Sequence, residues 1–134
     1  MNSIIADVAK LMQASGQGPS DSTADLYAKL MLEEWTEFRD AHMVADDTET
    51  FDACLDLIWV TAGYMIARGW PIPAGWAEVV RSNHAKIVDG RVLKRTDGKT
   101  LKPEGWTPPQ LAALLNVRDA GPFAFGGRKT RRDP

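Results

Sequence analysis

Three carboxylates fall within the short run Leu32-Glu33-Glu34-Trp35-Thr36-Glu37, and two more, Asp52 and Asp56, follow one helix later. At helical spacing Tyr27, Leu30, Met31, Phe38 and Ala41 form one apolar stripe, and Glu34 and Glu37 lie within it. An amphipathic helix ordinarily keeps its glutamates on the wet face. Glu33 stands one step aside, able to pair with Lys29 or to converge with Glu37. The next helix repeats the pattern: Asp52, Leu55, Asp56, Trp59, Ala62 and Ile66 share a stripe, with Glu49 a turn earlier. Gathering like charges on an inward face costs on the order of several kcal/mol per charge unless something positive sits among them. These two helices offer only Lys29, Arg39 and Arg68 as bases, so a divalent cation is the simplest counter-charge. Oxygen donors without His or Cys favour Mg²⁺ or Mn²⁺ over zinc or copper. The plainer reading leaves the acids at the solvent edge, capping helices or pairing with exposed bases. Two such sets on successive helices weigh toward the ion. A di-iron bundle needs Glu-x-x-His on two helices. His42 follows Glu37 at the wrong spacing and His84 follows no glutamate, which removes that reading.

A second chemical segment is Arg81-Ser-Asn-His-Ala-Lys86. On a helix Asn83 and Lys86 share a face. Lysine neutralises phosphate oxygens and asparagine bridges a phosphate or a base edge. The same pair also reads as a solvated helix end with a base near its C-terminus. Lys94, Arg95, Lys99 and Lys102 continue the positive run, either to close over a polyphosphate or to keep an exposed arm soluble. Asp97-Gly98-Lys99-Thr100 mimics the end of a phosphate-binding Walker loop, but Leu93 occupies the position of its required first glycine.

The elements that must position these groups are helices. Ile4, Ile5, Val8, Leu11 and Met12 share one side of a helix over 2–15, which Gly16, Gly18 and Pro19 end. Ser20 to Thr23 supply N-caps for a helix over 23–44. Asp46 and Asp47 mark a short loop, and a third helix over 48–68 ends at Gly69. Pro71 and Pro73 fill the next turn, before a fourth helix over 74–86. Residues 87–102 read as an irregular arm with hairpin dipeptides at Asp89-Gly90 and Asp97-Gly98. Trp106-Thr-Pro-Pro-Gln-Leu then opens a short helix reaching Val117. The expectation is an all-α four-helix bundle with an irregular C-terminal arm, one domain over 1–117 and a flexible basic tail over 118–134.

Bulk properties agree with that. The 134 residues, 44% hydrophobic and 25% charged, allow one domain with a modest core. A net charge of −2 provides no general attraction to nucleic acid or membrane. The charge is uneven: acids dominate 21–56, bases dominate 81–102 and 128–132. A metal site facing an anionic substrate fits that split, and so does plain surface patchiness. Cys54 is the only cysteine and reads as a small, buried thiol, which with the absence of a signal-like start leads to an expected cytoplasmic setting. No stretch approaches the length of a membrane span, since Asp52 and Asp56 interrupt the best candidate. Of five tryptophans, Trp59 reads as core or subunit interface; Trp35, Trp70, Trp76 and Trp106 read as packing residues, one of them open to stacking on a base.

Glu33-Glu34-x-x-Glu37 followed by paired acids before an apolar run resembles the all-α nucleoside triphosphate pyrophosphohydrolases, the superfamily of MazG, dimeric dUTPases and phosphoribosyl-ATP pyrophosphohydrolase. Four further segments are similar, in order, to a phage and bacterial MazG-like branch that includes MazZ-type (d)GTP diphosphohydrolases. They are Val8-x-x-x-Met12-Gln13-x-x-Gly16-Gln17, Asp52-Ala-Cys-Leu-Asp56, Glu78-Val-Val-Arg-Ser-Asn83-x-x-Lys86, and Asp97-Gly-Lys-x-Leu-Lys-x-x-Gly-Trp-x-Pro-Pro. One departure stands out: the superfamily's second motif is Glu-x-x-Asp, and here Ala53 precedes Asp56 by three, so either Asp52 or Glu49 takes the glutamate's part. The resemblance implies an oligomeric bundle, a homodimer or homotetramer, that uses Mg²⁺ (or Mn²⁺) to cut a nucleoside triphosphate to monophosphate and pyrophosphate. It further implies Glu34, Glu37, Asp52 and Asp56 as metal ligands, with Glu33, Glu34 and Glu37 as the catalytic acids and Glu33 also a water-orienting base. Asn83, Lys86 and Lys94 would hold phosphates or sugar, and Met12 and Gln17 would border the base. A purine, dGTP or GTP, is the implied substrate. The rival reading is a non-catalytic metal-binding helical interaction module.

Overall fold

The structure, a computed structural model, describes residues 2–116. These form five helices: α1 (Asn2–Ala14), α2 (Asp21–Met43), α3 (Asp47–Ala67), α4 (Ile72–His84) and α5 (Leu111–Leu115). No strand occurs among the described residues, as an all-α fold requires. The contacts divide the chain into two compact units, one up to Trp70 and one from Pro71 onward. The predicted tail over 118–134 lies outside the described residues.

In the first unit local chemistry sets each helix end. The Ser20 hydroxyl accepts from the Thr23 amide at 3.0 Å and starts α2 two residues earlier than the apolar pattern indicates. The Asp46 carboxylate does the same for α3, accepting from the Glu49 amide at 3.0 Å. At the end of α3, Gly69 takes a φ of +66°; its amide bonds the Ile66 carbonyl and the Trp70 amide reaches back to Met65. That paired closure needs a left-handed residue, which glycine supplies without strain. The α2–α3 connection closes the same way on Ala45, at φ 55°, where an ordinary side chain carries the strain.

α2 and α1 both pack on α3. The core consists of Ile5, Val8, Ala9 and Met12 from α1, Ala24 and Tyr27 from α2, and Ala53, Val60, Ala62, Ile66 and Ala67 from α3. Each large aliphatic among them contributes roughly 1.5–3 kcal/mol by burial. At one place the helices come closer than side chains normally allow. A Cβ built on Gly63 would lie 2.1 Å from the Tyr27 ring, so this glycine is what lets the phenol lie against the α3 backbone. Burial there pushes the Tyr27 phenol above its ordinary pKa, and its hydroxyl donates to Gln17 Oε1 at 2.9 Å.

Three expectations about α3 need correction. By length and composition it is apolar enough to cross a membrane, contrary to the sequence expectation. Its packing against α1 and α2 buries 33% of that stretch, while Phe51, Leu55 and Ile58 stay exposed. Its inward stripe is also narrower than expected. Asp52, Leu55 and Asp56 are exposed, and Ala53 is the residue buried in this first half. Cys54, expected to be buried, is half-buried.

In the second unit α4 begins two residues before the expected position, because Pro73 sits inside its first turn rather than in the preceding loop. Lys86 therefore lies past the helix end. Asp89 and Gly90 both have positive φ, and Val88 and Arg91 exchange amide hydrogen bonds of 2.7 and 3.0 Å, the two-residue hairpin expected of Asp-Gly. A second loop brings Lys94 opposite Thr100, and neither bridge extends into a strand. α5 is shorter than expected, starting after Pro108 and Pro109 rather than on them. Its approach is tied to α4 by Arg81, which pairs with Glu78 at 3.1 Å and donates to the Pro108 carbonyl at 3.0 Å. The Glu78 carboxylate also accepts from the Gln110 amide at 2.9 Å.

Candidate active site

The helical register of α2 puts Glu33, Glu34 and Glu37 on adjacent positions of two successive turns, and the packing of α3 along α2 adds Asp52 and Asp56. All five interact around Glu34. Its carboxyl is held above the ordinary range, first by desolvation and then by the charges of Glu37, Asp56, Glu33 and Asp52. Glu34 is half-buried, and its Oε2 is buried with no hydrogen-bond partner. A buried, unpaired carboxylate oxygen among like charges is unfavourable as it stands. Glu33 and Glu37 are exposed, so of the three glutamates only Glu34 keeps the inward place that the apolar stripe indicates. Lys29 makes no ion pair with Glu33, and the two ion pairs of this unit, Arg39–Asp40 and Arg68–Asp21, involve none of the five acids.

Carboxylates whose charges act on one orphaned oxygen suit a hard divalent cation. They do not form a closed cage: among the described residues no three acidic, His or Cys groups already converge as a metal cluster. Mutual repulsion accounts for that openness. Of the two candidates for the missing motif glutamate, Asp52 acts on Glu34. Glu49 instead occupies the first turn of α3, where its amide bonds the Asp46 cap and its charge suits the helix N-terminus.

Met12 and Gln17 flank this unit differently. Met12 has no exposed surface and acts as a core residue, whereas Gln17 is half-buried with its carboxamide oriented by Tyr27. Tyr27 as a positioning group escaped the sequence reading, which took it for an ordinary stripe residue.

The basic cluster belongs to the second unit. Asn83 and Lys86 meet as their spacing indicates, Lys86 Nζ donating to Asn83 Oδ1 at 2.9 Å while the Asn83 amide donates to the Val79 carbonyl at 3.0 Å. Trp106 joins them from the arm: its indole N–H donates to the Ser82 carbonyl at 2.6 Å. Lys86 and Lys102 both lie over its ring, 5.5 and 4.5 Å from the centroid. Lys94 is exposed and makes no contact with this cluster; its place is the backbone bridge to Thr100. Lys102 and Trp106 were visible in sequence only as letters of a shared motif.

The family model described as phosphoribosyl-ATP pyrophosphohydrolase matches residues 6–83, from α1 to the last turn of α4 and more than half of the chain. No curated protein matches the chain. The matched span contains all five acids and Asn83, while Lys86, Lys102 and Trp106 lie beyond it. Helical fold, acid placement and matched span agree, and the chain belongs to the phosphoribosyl-ATP pyrophosphohydrolase family, within the MazG-like superfamily of all-α nucleotide pyrophosphohydrolases.

Proposed function

We propose that this chain is a Mg²⁺-dependent (or Mn²⁺-dependent) nucleoside triphosphate pyrophosphohydrolase that cuts between the α- and β-phosphates, with a purine nucleotide, dGTP or GTP, as substrate. The observation that carries the reading is the orphaned Glu34 oxygen at the centre of four other carboxylates on two helices. In this reading Glu34, Glu37, Asp52 and Asp56 hold the cation. When bound, the ion would offset charge on the attacking and leaving oxygens. Glu33, exposed and one step aside, orients the attacking water and takes its proton on a carboxylate oxygen. The water oxygen bonds to phosphorus, the α–β anhydride bond breaks, and monophosphate and pyrophosphate leave. Lys86 and Lys94 neutralise phosphate oxygens and Asn83 holds a phosphate or the sugar, so that positioning and electrostatics do most of the work.

Gln17 supports the purine assignment. Its Oε1 accepts from Tyr27, which leaves the amide N–H groups to donate, and the O6 and N7 edge of guanine offers two acceptors. Met12 lies within the core of the same unit and stiffens α1 beneath that loop. The branch likeness to MazZ-type enzymes points the same way.

The same reading includes a homodimer or homotetramer in a reducing cytoplasm. Along α2, α3 and the turn between them Leu32, Trp35, Met43, Val44, Phe51, Leu55 and Ile58 are all exposed, with Met43 at 77% and Phe51 at 66%. An apolar face of this extent is rarely left in water. A second copy carries the same patch and can cover it reciprocally. Light scattering on purified protein checks this, and a monomer at micromolar concentration would refute it.

The decisive measurement incubates the folded protein with each common dNTP and NTP plus Mg²⁺ and follows products. Pyrophosphate release fastest from a guanine nucleotide is expected. Orthophosphate in its place would overturn the cleavage position, and metal binding without any turnover would favour the non-catalytic module.

A further inference from the structure

Surface lysines usually find a carboxylate, and Lys86 and Lys102 are placed instead against an aromatic ring. Both ammonium groups lie within 5.5 Å of the centre of one indole, that of Trp106. Among the described residues no ion pair neutralises either of them; the acids of this unit that pair there, Glu78 and Asp97, are taken by Arg81 and Arg95. Each ammonium group is drawn to the negative face of the same indole.

The ring itself is held firmly. Its N–H donates to the Ser82 carbonyl, and Ser82 is the polar residue buried at 2% exposure, its hydroxyl bonded to Val79 O at 3.0 Å. Lys86 is held from the other side by Asn83. The arm thus carries Lys102 back from sixteen residues away and fixes it beside the Asn83–Lys86 pair. Preorganised positive charge without an internal counter-ion is what an anion site needs.

We infer that Lys86 and Lys102, seated on Trp106, form a two-cation clamp for the diphosphate part of the substrate, with Lys102 as a binding residue contributed by the arm. This rests on the nucleotide reading above. The clamp's chemistry is that of a pyrophosphate group with several negative oxygens, so one isolated phosphate is a poorer match for two separated ammonium groups. Lys102 and Trp106, like Lys86, lie outside the span 6–83 matched by the family model.

The test pairs kinetics with tryptophan emission. Lys102→Ala should raise KM for the preferred nucleotide about tenfold, equivalent to about 1.4 kcal/mol, with kcat within about twofold, as loss of uniform binding requires. Lys102→Arg should restore most of the affinity, and Arg91→Ala, which removes an exposed cation elsewhere in the arm, should change nothing. Titrating the protein with inorganic pyrophosphate should alter its emission, and that change should vanish in Trp106→Phe and need about tenfold more pyrophosphate in Lys102→Ala. Matching thermal melts show that Lys102→Ala is folded. An active enzyme whose KM is the same in Lys102→Ala and Arg91→Ala overturns the clamp and leaves the function standing. Pyrophosphate quenching through Trp106 in a protein that hydrolyses no nucleotide overturns the function and leaves the anion site standing. Orthophosphate binding as tightly as pyrophosphate overturns the assignment to a diphosphate.

Discussion

Glu34 on α2 and Glu78 on α4 begin as the same side chain and end in opposite electrostatic states. Glu34 has only carboxylates for company, and its pKa is pushed up by desolvation and four negative neighbours. Glu78 is held below the ordinary range, first by the Arg81 hydrogen bonds and then by the Gln110 amide. The second unit therefore closes its acid internally and uses it to tie α5 to α4. Among its charges outside those ion pairs are the two lysines on Trp106. In the first unit the acids are the unpaired charge. Charge satisfied within the fold stabilises structure, whereas charge left without a partner is costly until a ligand meets it, and the proposals above give the first unit a cation and the second an anion.

The largest effect expected from that contrast is on activity. Glu34→Gln should cut pyrophosphate release at least about 100-fold, the scale of losing a group that organises transition-state charge, while circular dichroism keeps its helical form. Retained activity would place Glu34 among ordinary buried acids and erase the distinction from Glu78.

Next is a perturbation confined to the first unit. Gly63→Ala drives a methyl into the Tyr27 ring and should cost about 2–3 kcal/mol, as overpacking does, read by urea denaturation. It also displaces the phenol that orients Gln17, so base discrimination in the surviving enzyme should weaken as well. Unchanged stability would mean that α2 and α3 can part freely here.

The two glutamates should also titrate with opposite consequences for stability. A raised folded pKa at Glu34 means that, without metal, the fold loses stability as pH climbs through and above the ordinary glutamate range; Mg²⁺ should reverse this and Glu34→Gln should abolish it. A lowered folded pKa at Glu78 means stability that is present above the ordinary range and lost as pH falls through the depressed value. Thermal melts from about pH 3 to pH 7 on wild type, Glu34→Gln and Glu78→Gln separate the two, and parallel curves would break the comparison. The smallest effect concerns the turn that joins the acid-bearing helices. Ala45→Gly relieves a left-handed backbone and should add about 0.5 kcal/mol, strain relief less the entropy glycine adds to the unfolded chain.

Much of this was legible in the residues because its causes are local. Ser20 and Asp46 cap the helices that follow them, and Gly69 ends α3, by bonds to amides a few positions away. Asp89-Gly90 makes its hairpin for the same reason. The grouping of Glu33, Glu34 and Glu37 is set by a single helix's pitch, and the meeting of Asn83 with Lys86 by the turn that follows α4. Periodicity could not tell how deep each stripe lies. It treated Asp52 and Asp56 as inward and Met12 as a border residue, whereas burial depends on how far a neighbouring helix extends over each turn. That is a property of packing, and it left both aspartates exposed and Met12 enclosed.

The sequence by itself determined the helices, their ends and the acidic and amide motifs, since each depends on contacts within about one or two turns. Only the tertiary structure decided that Asp52 rather than Glu49 acts on Glu34, that Gly63 admits Tyr27, and that Trp106 gathers Lys86 and Lys102. Those contacts join positions far apart in the chain, and no short-range pattern encodes which distant partners a side chain meets once the helices pack and the arm folds back.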